Sequence, residues 1–307
     1  MKILIVANHN KGYFVPFIVE QVEALKQLGV EIEYYGVHGK GIIGYLSNRS
    51  VLKAKIREYR PDLIHAHYGL SGLLANLQRR VPVVTTFHGS DIHEGGRNLF
   101  LSRLAIRLSA YNIFVTENLQ KQAGCHGNNQ CALPCGIDTI TIHPIDRAEA
   151  RRLLGWEADG KYVLFAGAFD NAVKNSSLAK AATALTKGVH LIEMRGFTRE
   201  QVNLIMNAAN CLLMTSYREG SPQVVKEALE CGTPIVSVDV GDVREITAGI
   251  EGCHVTSYDA HDIAHAINQT FSFHGKTTGR QRIIERGLSN ELVAKRIFDI
   301  YNSIINK

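Results

Sequence analysis

Short apolar runs that alternate with helical patterns are the feature that most constrains the fold of this 307-residue chain. The first run, 2–7, is followed by a polar loop and by apolar residues at helical spacing that end at Gly29. Further runs follow at 31–35, 62–65, 82–87 and 112–116. Continuous apolar runs are typical of strands buried on both faces, and they alternate with helices in parallel α/β sheets. The sequence therefore predicts a parallel sheet covered by helices.

The same alternation starts again near residue 161, which indicates a second α/β domain. Apolar runs at 161–166, 189–193, 211–215 and 234–238 are separated by helical patterns, and a last amphipathic helix is predicted over about 290–306. Two domains agree with a length of about 150 residues per domain. We therefore predict an N-terminal domain at 1–142, a second domain at 143–289 and a C-terminal helix at 290–307.

Composition excludes several classes of protein. The chain has 34 Lys and Arg against 29 Asp and Glu, and a net charge of +5 is too small for a dedicated nucleic-acid binder. No run reaches the roughly 18 apolar residues of a membrane span, and no secretory signal is visible, so we expect a cytoplasmic protein with reduced thiols. Cys125, Cys131 and Cys135 lie near His126, but their spacing fits no usual zinc pattern. We expect no metal site there.

The segment after the run 211–215 carries the densest chemistry, and ligands of open parallel sheets bind beyond the carboxyl ends of the strands. Ser221 is a favourable N-cap and Pro222 suits the first helical position, so the helix N-terminus is suited to phosphate. Glu219 before this helix and Glu227 within it could grip two different hydroxyl-bearing groups. The residues alone leave open that Glu219 only favours a helix N-terminus and that Glu227 is a solvated helix residue.

Glu219 and Glu227 form an E-x7-E pattern within EGSPQVVKEALECGTPIVSVDVGDVREI. This segment resembles the donor-site signature of the family four glycosyltransferases, glycosyl transferases group 1, which are retaining enzymes with the GT-B fold. DLIHAH at 62–67, TFHG at 86–89, PCGID at 134–138 and FAGAFDNAVKN at 165–175 resemble other segments of that family in the same order. The resemblance implies two Rossmann-like α/β domains facing across a cleft, with the C-terminal helix crossing back to the N-domain.

The resemblance also implies roles for the matching residues of the second, donor domain. Glu219 would contact the hydroxyls of the donor sugar, and Glu227 would hold the ribose hydroxyls of the nucleotide. Lys174 matches a phosphate-binding lysine whose charge would stabilise the departing diphosphate, although spacing alone favours a solvated loop lysine. The full set of expected donor-binding residues is Gly12, Gly167, Lys174, Arg195, Phe197, Glu219, Gly220, Ser221, Pro222 and Glu227.

In the first, acceptor-side domain the resemblance points to His88. It corresponds to a histidine near the reacting sugar, where it would bond the donor sugar or orient the acceptor, and we group it with Glu219 and Lys174 as catalytic candidates. The alternative is a buried histidine with satisfied hydrogen bonds. His65 and His67 are expected to be structural. Gly12 would approach the diphosphate from this domain.

Three departures from the family pattern affect these expectations. Ala168 stands where an arginine usually follows the glycine that corresponds to Gly167, and Lys174 is one residue further from that glycine than usual. The first loop has only Gly12 where the family has paired glycines. The segment 187–210 is short, so we expect a smaller nucleotide pocket built by Arg195, Gly196 and Phe197, in which Arg195 would restore the missing charge.

The expected function is that of a retaining glycosyltransferase without a cofactor. It would move a sugar from a nucleotide-diphosphate sugar to a glycan or lipid-linked glycan acceptor in surface polysaccharide synthesis. We expect metal-independent transfer, because no Asp-x-Asp motif stands at a strand end and a lysine, backbone and a helix N-terminus would hold the phosphates. The alternatives are a GT-B nucleotide-sugar epimerase and a non-catalytic nucleotide-sugar binder. A dehydrogenase is disfavoured, since the first strand is not followed by G-x-G-x-x-G.

Two basic segments leave the membrane question open. Residues 49–60 and 97–108 combine Lys and Arg with apolar side chains in predicted helices or loops. Their composition slightly favours ordinary amphipathic helices with solvated charges. The alternative is peripheral docking to an anionic membrane at its inner face, where a lipid-linked acceptor would be found. The basic residues concerned are Arg49, Lys53, Lys55, Arg57, Arg60, Arg97, Arg103 and Arg107.

Overall fold

The computed structural model describes residues 1–93, 96–124 and 127–306. It divides into two compact units. Unit 1 comprises Met1–Gly136 and Asn290–Lys307, and unit 2 comprises Ile137–Ser289. Cys125 and His126, which were considered as metal ligands, lie outside the described residues, and so does the side chain of Arg97.

Unit 1 contains a six-stranded, fully parallel sheet with the order β2-β1-β3-β4-β5-β6. Its strands are β1 (Lys2–Asn8), β2 (Glu31–Val37), β3 (Leu63–His67), β4 (Val83–Phe87), β5 (Tyr111–Phe114) and β6 (Gln130–Ala132). Its helices up to β6 are α1 (Pro16–Gln27), α2 (Gly41–Leu46), α3 (Arg49–Tyr59), α4 (Gly69–Asn76), α5 (Ser90–His93), α6 (Gly96–Leu108) and α7 (Glu117–Ala123). The apolar runs that predicted a parallel sheet include β1, β3 and β4, and these strands are almost entirely buried. Strand β6 was missed because its residues are only half-buried and form no apolar run.

Unit 2 contains a five-stranded parallel sheet with the order β11-β10-β9-β7-β8. Its strands are β7 (Lys161–Phe165), β8 (Val189–Glu193), β9 (Cys211–Met214), β10 (Ile235–Val238) and β11 (Cys253–Thr256). Its helices are α8 (Arg147–Leu154), α9 (Ser176–Ala184), α10 (Arg199–Ala208), α11 (Gln223–Glu230), α12 (Val243–Thr247), α13 (Ala260–Phe271) and α14 (Gly279–Arg286), with a short 3-10 helix at Ala172–Lys174.

The strand order of unit 2 reverses between β7 and β9. The chain leaves β7 toward β8 in one direction and leaves β9 toward β10 in the other. Since crossovers between parallel strands are right-handed, α9 covers one face of the sheet, and α10 and α11 cover the other. The packing agrees, because α9 contacts α13 whereas α11 contacts α10 and α14. The loops after β7 and β9 therefore flank the crevice where ligands of open α/β sheets bind.

The last helix, α15 (Asn290–Ile305), belongs to unit 1 and packs against α1. Its buried residues Val293, Ala294, Ile297 and Tyr301 lie on one helical face and join the core around the first strands. The prediction that the C-terminal helix returns to the first half of the chain is confirmed.

Candidate functional site

The switch point of the unit 2 sheet carries a pair of opposite charges. Lys174 ends the 3-10 helix that follows β7, and Glu219 lies in the loop between β9 and α11. The Lys174 Nζ lies 2.7 Å from the Glu219 Oε1, and both side chains are largely buried. Two residues that the sequence assigned to one site, 45 positions apart, are thus in direct contact.

Hydrogen bonds between the two loops hold this ion pair in place. The Tyr217 N–H donates to the Val173 carbonyl oxygen over 2.9 Å. The Thr215 hydroxyl, at the end of β9, lies 2.9 Å from the carbonyl oxygen of Lys174. Gly167 completes the arrangement by close approach, since an added Cβ there would lie 2.8 Å from the Lys174 Cγ. A larger residue at Gly167 would therefore displace the lysine.

Glu227 forms a second ion pair with a residue that the sequence did not single out. Its Oε1 accepts a hydrogen bond of 2.7 Å from an Nη of Arg199, and only 8% of the Glu227 side chain is exposed. Arg199 is the first residue of α10, directly after Thr198, which caps the helix in a capping box with Gln201. The T-x-x-Q pattern at 198–201 could have identified the start of this helix, and with it the position of Arg199.

The helix after Glu219 begins one residue later than predicted. Helix α11 starts at Gln223, and Pro222 rather than Ser221 occupies the N-cap position. The Ser221 side chain is instead turned toward Asp242, whose Oδ2 accepts a hydrogen bond of 2.7 Å from its hydroxyl, and no side chain caps α11. Prediction of a Ser221 cap was wrong because a tertiary partner competes with the local cap.

Asp242 and Gly241 shape the backbone of the loop 219–222. Gly241 adopts a left-handed conformation with φ +61, and an added Cβ would lie 2.4 Å from the Gly220 carbonyl oxygen. Asp242 follows it and accepts the Ser221 bond, while burial raises the pKa of its carboxyl group. Both residues follow β10, so position after a strand is the signal that could have identified them.

Arg195 lies at the outer edge of this site and is exposed. Its guanidinium lies 2.8 Å from the Asp170 carboxylate, in the loop that also contains Ala168. Phe197, 38% exposed, follows two residues later. The structure thus places Arg195 beside the loop with the missing arginine, and its contact with a phosphate stays a prediction.

In unit 1, three histidine rings are stacked at the carboxyl ends of β3 and β4. His65 and His67 point to the same face of β3 because they are two residues apart, and their ring centroids are 4.5 Å apart. The His67 and His88 centroids are 5.3 Å apart, and the His67 Nδ1 lies 3.1 Å from the His88 Nε2. His65 is anchored below by the Tyr301 hydroxyl at 2.6 Å and the Thr86 hydroxyl at 2.7 Å.

The inner part of this stack is uncharged. Burial lowers the pKa of His67 to about 3. Burial, together with repulsion from His67 and His88, lowers the pKa of His65 well below its ordinary value. A neutral imidazole carries one N–H, so His67 and His88 share a single hydrogen bond in which one ring donates and the other accepts. This bond fixes the orientation of His88.

The surroundings of His88 are largely apolar, with Asp91 holding its backbone. The rings of Phe17 and Tyr68 lie 5.0 and 4.5 Å from the His88 ring. The Asp91 carboxylate accepts from the backbone N–H groups of His88 and Gly89, at 3.2 and 2.9 Å. Burial raises the pKa of Asp91 to about 6, although these backbone hydrogen bonds oppose the shift. His88 therefore has a fixed position, although it lies in the loop that follows β4.

Gly12 lies in the loop between β1 and α1. It has φ +79, a conformation that favours glycine, and its N–H donates to the His9 carbonyl oxygen over 3.0 Å. An added Cβ would meet no atom within 4 Å, so the backbone here is open to approach.

Among the described residues, no group of three or more His, Cys, Asp or Glu side chains is arranged to hold a metal ion. No described helix is both long and apolar enough to cross a bilayer.

Comparison with known proteins covers both units. Residues 12–140 match a family model described as Glycosyltransferase Family 4, and residues 156–272 match one described as Glycosyl transferases group 1. TuaC of Bacillus subtilis (strain 168), a glycosyltransferase named for teichuronic acid biosynthesis, is 27% identical over 252 residues. The match covers 72% of this chain and 64% of TuaC, so the chain spans less than two thirds of that relative.

Solved structures share the fold. Sucrose-phosphate synthase from Thermosynechococcus elongatus superposes with a TM-score of 0.85 at 18% identity, over 100% of this chain and 99% of that chain. HepE of Anabaena, solved in complex with UDP, superposes with a TM-score of 0.78 at 18% identity, over 99% and 100%. These likenesses confirm the predicted fold class.

Proposed function

Because this chain belongs to the family 4, group 1 glycosyltransferases, we propose that it transfers a sugar from a nucleotide-diphosphate donor to a glycan or lipid-linked glycan. We propose that configuration at the anomeric carbon is retained. The observation that carries the proposal is the Lys174–Glu219 ion pair at the switch point of the unit 2 sheet. A carboxylate that can accept from sugar hydroxyls lies there beside a cation that can stabilise a diphosphate.

In the proposed reaction the bond between the anomeric carbon and the diphosphate oxygen breaks. The acceptor hydroxyl oxygen bonds to the same carbon on the same face, and its proton leaves with the diphosphate. Lys174 offsets the negative charge that develops on the departing oxygen. The backbone of Gly220, Ser221 and Pro222 at the start of α11 adds N–H groups and the positive end of a helix dipole. Gly12 of unit 1 is assigned to the diphosphate as well.

The two carboxylates are assigned to different parts of the donor. Glu219 accepts from sugar hydroxyls, and Glu227 accepts from the ribose hydroxyls of the nucleotide. Each carboxylate already has a cationic partner, Lys174 and Arg199, that fixes its orientation before the donor arrives. Fixing these side chains in advance lowers the entropy cost of binding. Arg195 and Phe197 are assigned to the outer part of the nucleotide pocket.

His88 is assigned to the reacting sugar, by a hydrogen bond to the donor or by orientation of the acceptor. The support is its fixed position, with a hydrogen bond to His67 on one side and the Asp91 cradle around its backbone. We propose that transfer requires no metal ion, because Lys174 and backbone N–H groups supply the positive charge. Activity that is unchanged in excess chelator is the expected result, and a loss reversed by a divalent cation would contradict it.

We propose a surface polysaccharide as the acceptor class, since TuaC is named for the synthesis of such a polymer. A peripheral location at the inner face of the membrane, in the cytoplasm, fits that role. Ile43, Val51 and Phe100, on three helices of unit 1, are 82%, 59% and 67% exposed, and the exposed Arg49 and Arg57 lie on the same helix as Val51. Co-sedimentation with anionic but not neutral vesicles, weakened by salt, is expected. Equal recovery with both kinds of vesicle would remove this part of the proposal.

The test of the proposed function begins with a thermal-shift screen of nucleotide-diphosphate sugars, because a bound donor raises the melting temperature. The donor with the largest shift is then incubated with and without glycan acceptors, and the products are analysed by NMR. Transfer with an unchanged anomeric configuration is expected. Inversion would contradict retention, epimerisation without an acceptor would indicate the epimerase, and binding without turnover would indicate a non-catalytic binder.

A further inference from the structure

Unit 2 has a second concave site on the α9 side of its sheet. Its cavity of about 680 Å³ is lined by Asn175, Ser177, Leu178, Tyr217 and Tyr258. This volume falls within the range of roughly 300–1,000 Å³ that is typical of small-molecule sites, and the site is a broad hollow that is largely open to solvent. None of the donor-binding residues assigned above lines it.

The two tyrosines give this cavity an exposed aromatic wall. Tyr217 is 62% exposed and Tyr258 is 46% exposed. Their ring planes differ by 11° and their centroids are 6.1 Å apart. A third ring placed between them would need about 7 Å, twice the contact distance of about 3.5 Å. A ligand would therefore lie on the rings rather than between them.

The Tyr258 ring and the Tyr217 backbone are held in place before any ligand binds. The Tyr258 hydroxyl donates to the Ser216 carbonyl oxygen over 2.8 Å, which fixes the far end of that ring. The Tyr217 backbone is fixed by its bond to Val173. Rigid aromatic side chains offer a large contact area at a small entropy cost.

The remaining wall combines the polar Asn175 and Ser177 with the apolar Leu178 and carries no formal charge. The Ser177 hydroxyl donates to the Asn175 Oδ1 over 3.1 Å, which orients the amide group. Amide and hydroxyl groups both donate and accept hydrogen bonds. Five uncharged lining residues do not match a phosphate, whereas aromatic faces with amide and hydroxyl groups match a pyranose ring. Such a ring has apolar C–H faces and a rim of hydroxyls.

The cavity is adjacent in sequence to the proposed reaction centre but lies on another side of it. Asn175 follows Lys174 directly, and Tyr217 precedes Glu219 by two residues. Ser177 belongs to α9, which covers the opposite face of the sheet from α11 and Glu227. The nucleotide is assigned to the α11 side, so a ligand on the tyrosines would be a different part of the reaction mixture.

We propose that Tyr217 and Tyr258 form a saccharide subsite that holds an uncharged pyranose ring of the acceptor glycan. This inference deepens the proposed function and rests on it for the identity of the saccharide as acceptor. A nucleoside base is the alternative occupant of an aromatic wall. It is disfavoured by the position of Glu227, and the binding of nucleoside diphosphates to variants of Tyr217 separates the two.

The test measures binding of neutral oligosaccharides and of nucleoside diphosphates to the whole chain. Cellotetraose, maltotetraose and chitotetraose are the saccharide probes, by saturation-transfer NMR and titration, and UDP and GDP are the nucleotide probes. At least one tetrasaccharide should bind the unaltered chain. Tyr217→Ala should weaken its binding by about tenfold, equivalent to about 1.4 kcal/mol, whereas Tyr217→Phe should keep it within about twofold. Leu185→Ala, at an exposed position just beyond α9, is the control for surface truncation.

Three outcomes would overturn the subsite. They are no binding of any tetrasaccharide, saccharide binding that survives Tyr217→Ala, and a loss of nucleotide binding in Tyr217→Ala that matches the loss of saccharide binding. The last outcome would assign the tyrosines to the base. Melting curves of the variants check the fold, which an exposed side chain leaves intact. Saccharide binding is measured without turnover, so a failure of the proposed transferase activity is recorded separately.

Discussion

The polar groups at the two sheet edges are stabilised in opposite ways. In unit 2 the carboxylates of Glu219 and Glu227 form ion pairs with Lys174 and Arg199. In unit 1 the imidazoles are stacked, and burial keeps His67 uncharged. Ion pairs near solvent can exchange partners with a charged ligand, whereas a buried neutral stack fixes orientation and resists protonation. We therefore expect unit 2 to supply charge stabilisation and unit 1 to supply orientation.

The largest expected effect is a loss of stability in acid, which arises in unit 1 through His67. Its pKa falls from an ordinary 6.5 to about 3 in the folded chain, so at this residue the unfolded chain binds one more proton between these values. The lowered pKa of His65 acts in the same direction, whereas the pKa of Asp91, raised to about 6, acts in the opposite direction. Stability should therefore decrease as pH falls through this window, by about 1.4 kcal/mol per pH unit for this proton and by about 4–5 kcal/mol over the whole window. Urea unfolding at a series of pH values from 7 to 4 measures this slope.

His67→Asn is the informative variant, because its amide can replace the Nδ1 bond to His88 but does not titrate. The dependence of the free energy of unfolding on pH should become less steep by about 1.4 kcal/mol per pH unit, the contribution of one proton. This change is independent of any loss of stability at neutral pH. His190→Asn, at an exposed histidine of unit 2, is the matched control for exchange of a histidine for an asparagine. A slope that is identical in His67→Asn and the unaltered chain would show that His67 is not buried uncharged.

Removal of a charge from the unit 2 edge should have the next largest effect. Lys174→Ala should slow donor cleavage by about 10²–10³-fold, because the developing charge on the diphosphate loses a positioned cation. The variant also leaves Glu219 without its partner at 2.7 Å. Initial rates at saturating donor measure the effect. Lys187→Ala, at an exposed lysine of the same unit, is the matched control, and equal rates in both variants would exclude Lys174 from the reaction.

The unit 2 site could be predicted largely from sequence because its residues follow strands. Lys174 and Glu219 come after β7 and β9, and strand ends meet at one edge of a parallel sheet. The motif also placed Glu227 on the following helix. Arg199 was missed because no sequence pattern indicates which side chain an arginine at a helix start will pair with. The Ser221 cap was predicted wrongly because the Ser221 side chain is turned toward Asp242, 21 residues later, to which its hydroxyl donates.

The unit 1 stack was less predictable, although its alternation was visible. His65 and His67 are two residues apart on β3 and must point to one face. Their interpretation as structural fits His65, which is bonded to Tyr301 and Thr86. Sequence could not show that His67 touches His88, because this contact depends on the register between β3 and β4. The Tyr301 anchor, 236 residues away, depends on the return of α15.

His88→Ala should slow transfer by about 10²-fold, the lower end of the range for a positioned polar side chain. The reason is loss of a fixed imidazole beside the reacting sugar, so the binding of nucleoside diphosphate should change far less. The rate and the nucleotide dissociation constant are measured on the same preparation. His274→Ala, at an exposed position, controls for loss of a histidine. A proportional loss of nucleotide affinity in His88→Ala would place His88 in nucleotide binding and would weaken the division between the two units.

Glu227→Gln should have the smallest effect, a loss of about tenfold in affinity for nucleoside diphosphate, or about 1.4 kcal/mol. The amide keeps the shape of the side chain but removes the charge that Arg199 orients at 2.7 Å. If the ion pair acts only through this orientation, Arg199→Ala should weaken binding by a similar factor, and the double variant should be little worse than either. Isothermal titration of the four proteins completes the cycle. Strictly additive losses would mean that Arg199 contacts the nucleotide directly. Both members of the Arg199–Glu227 ion pair would then bind the ligand.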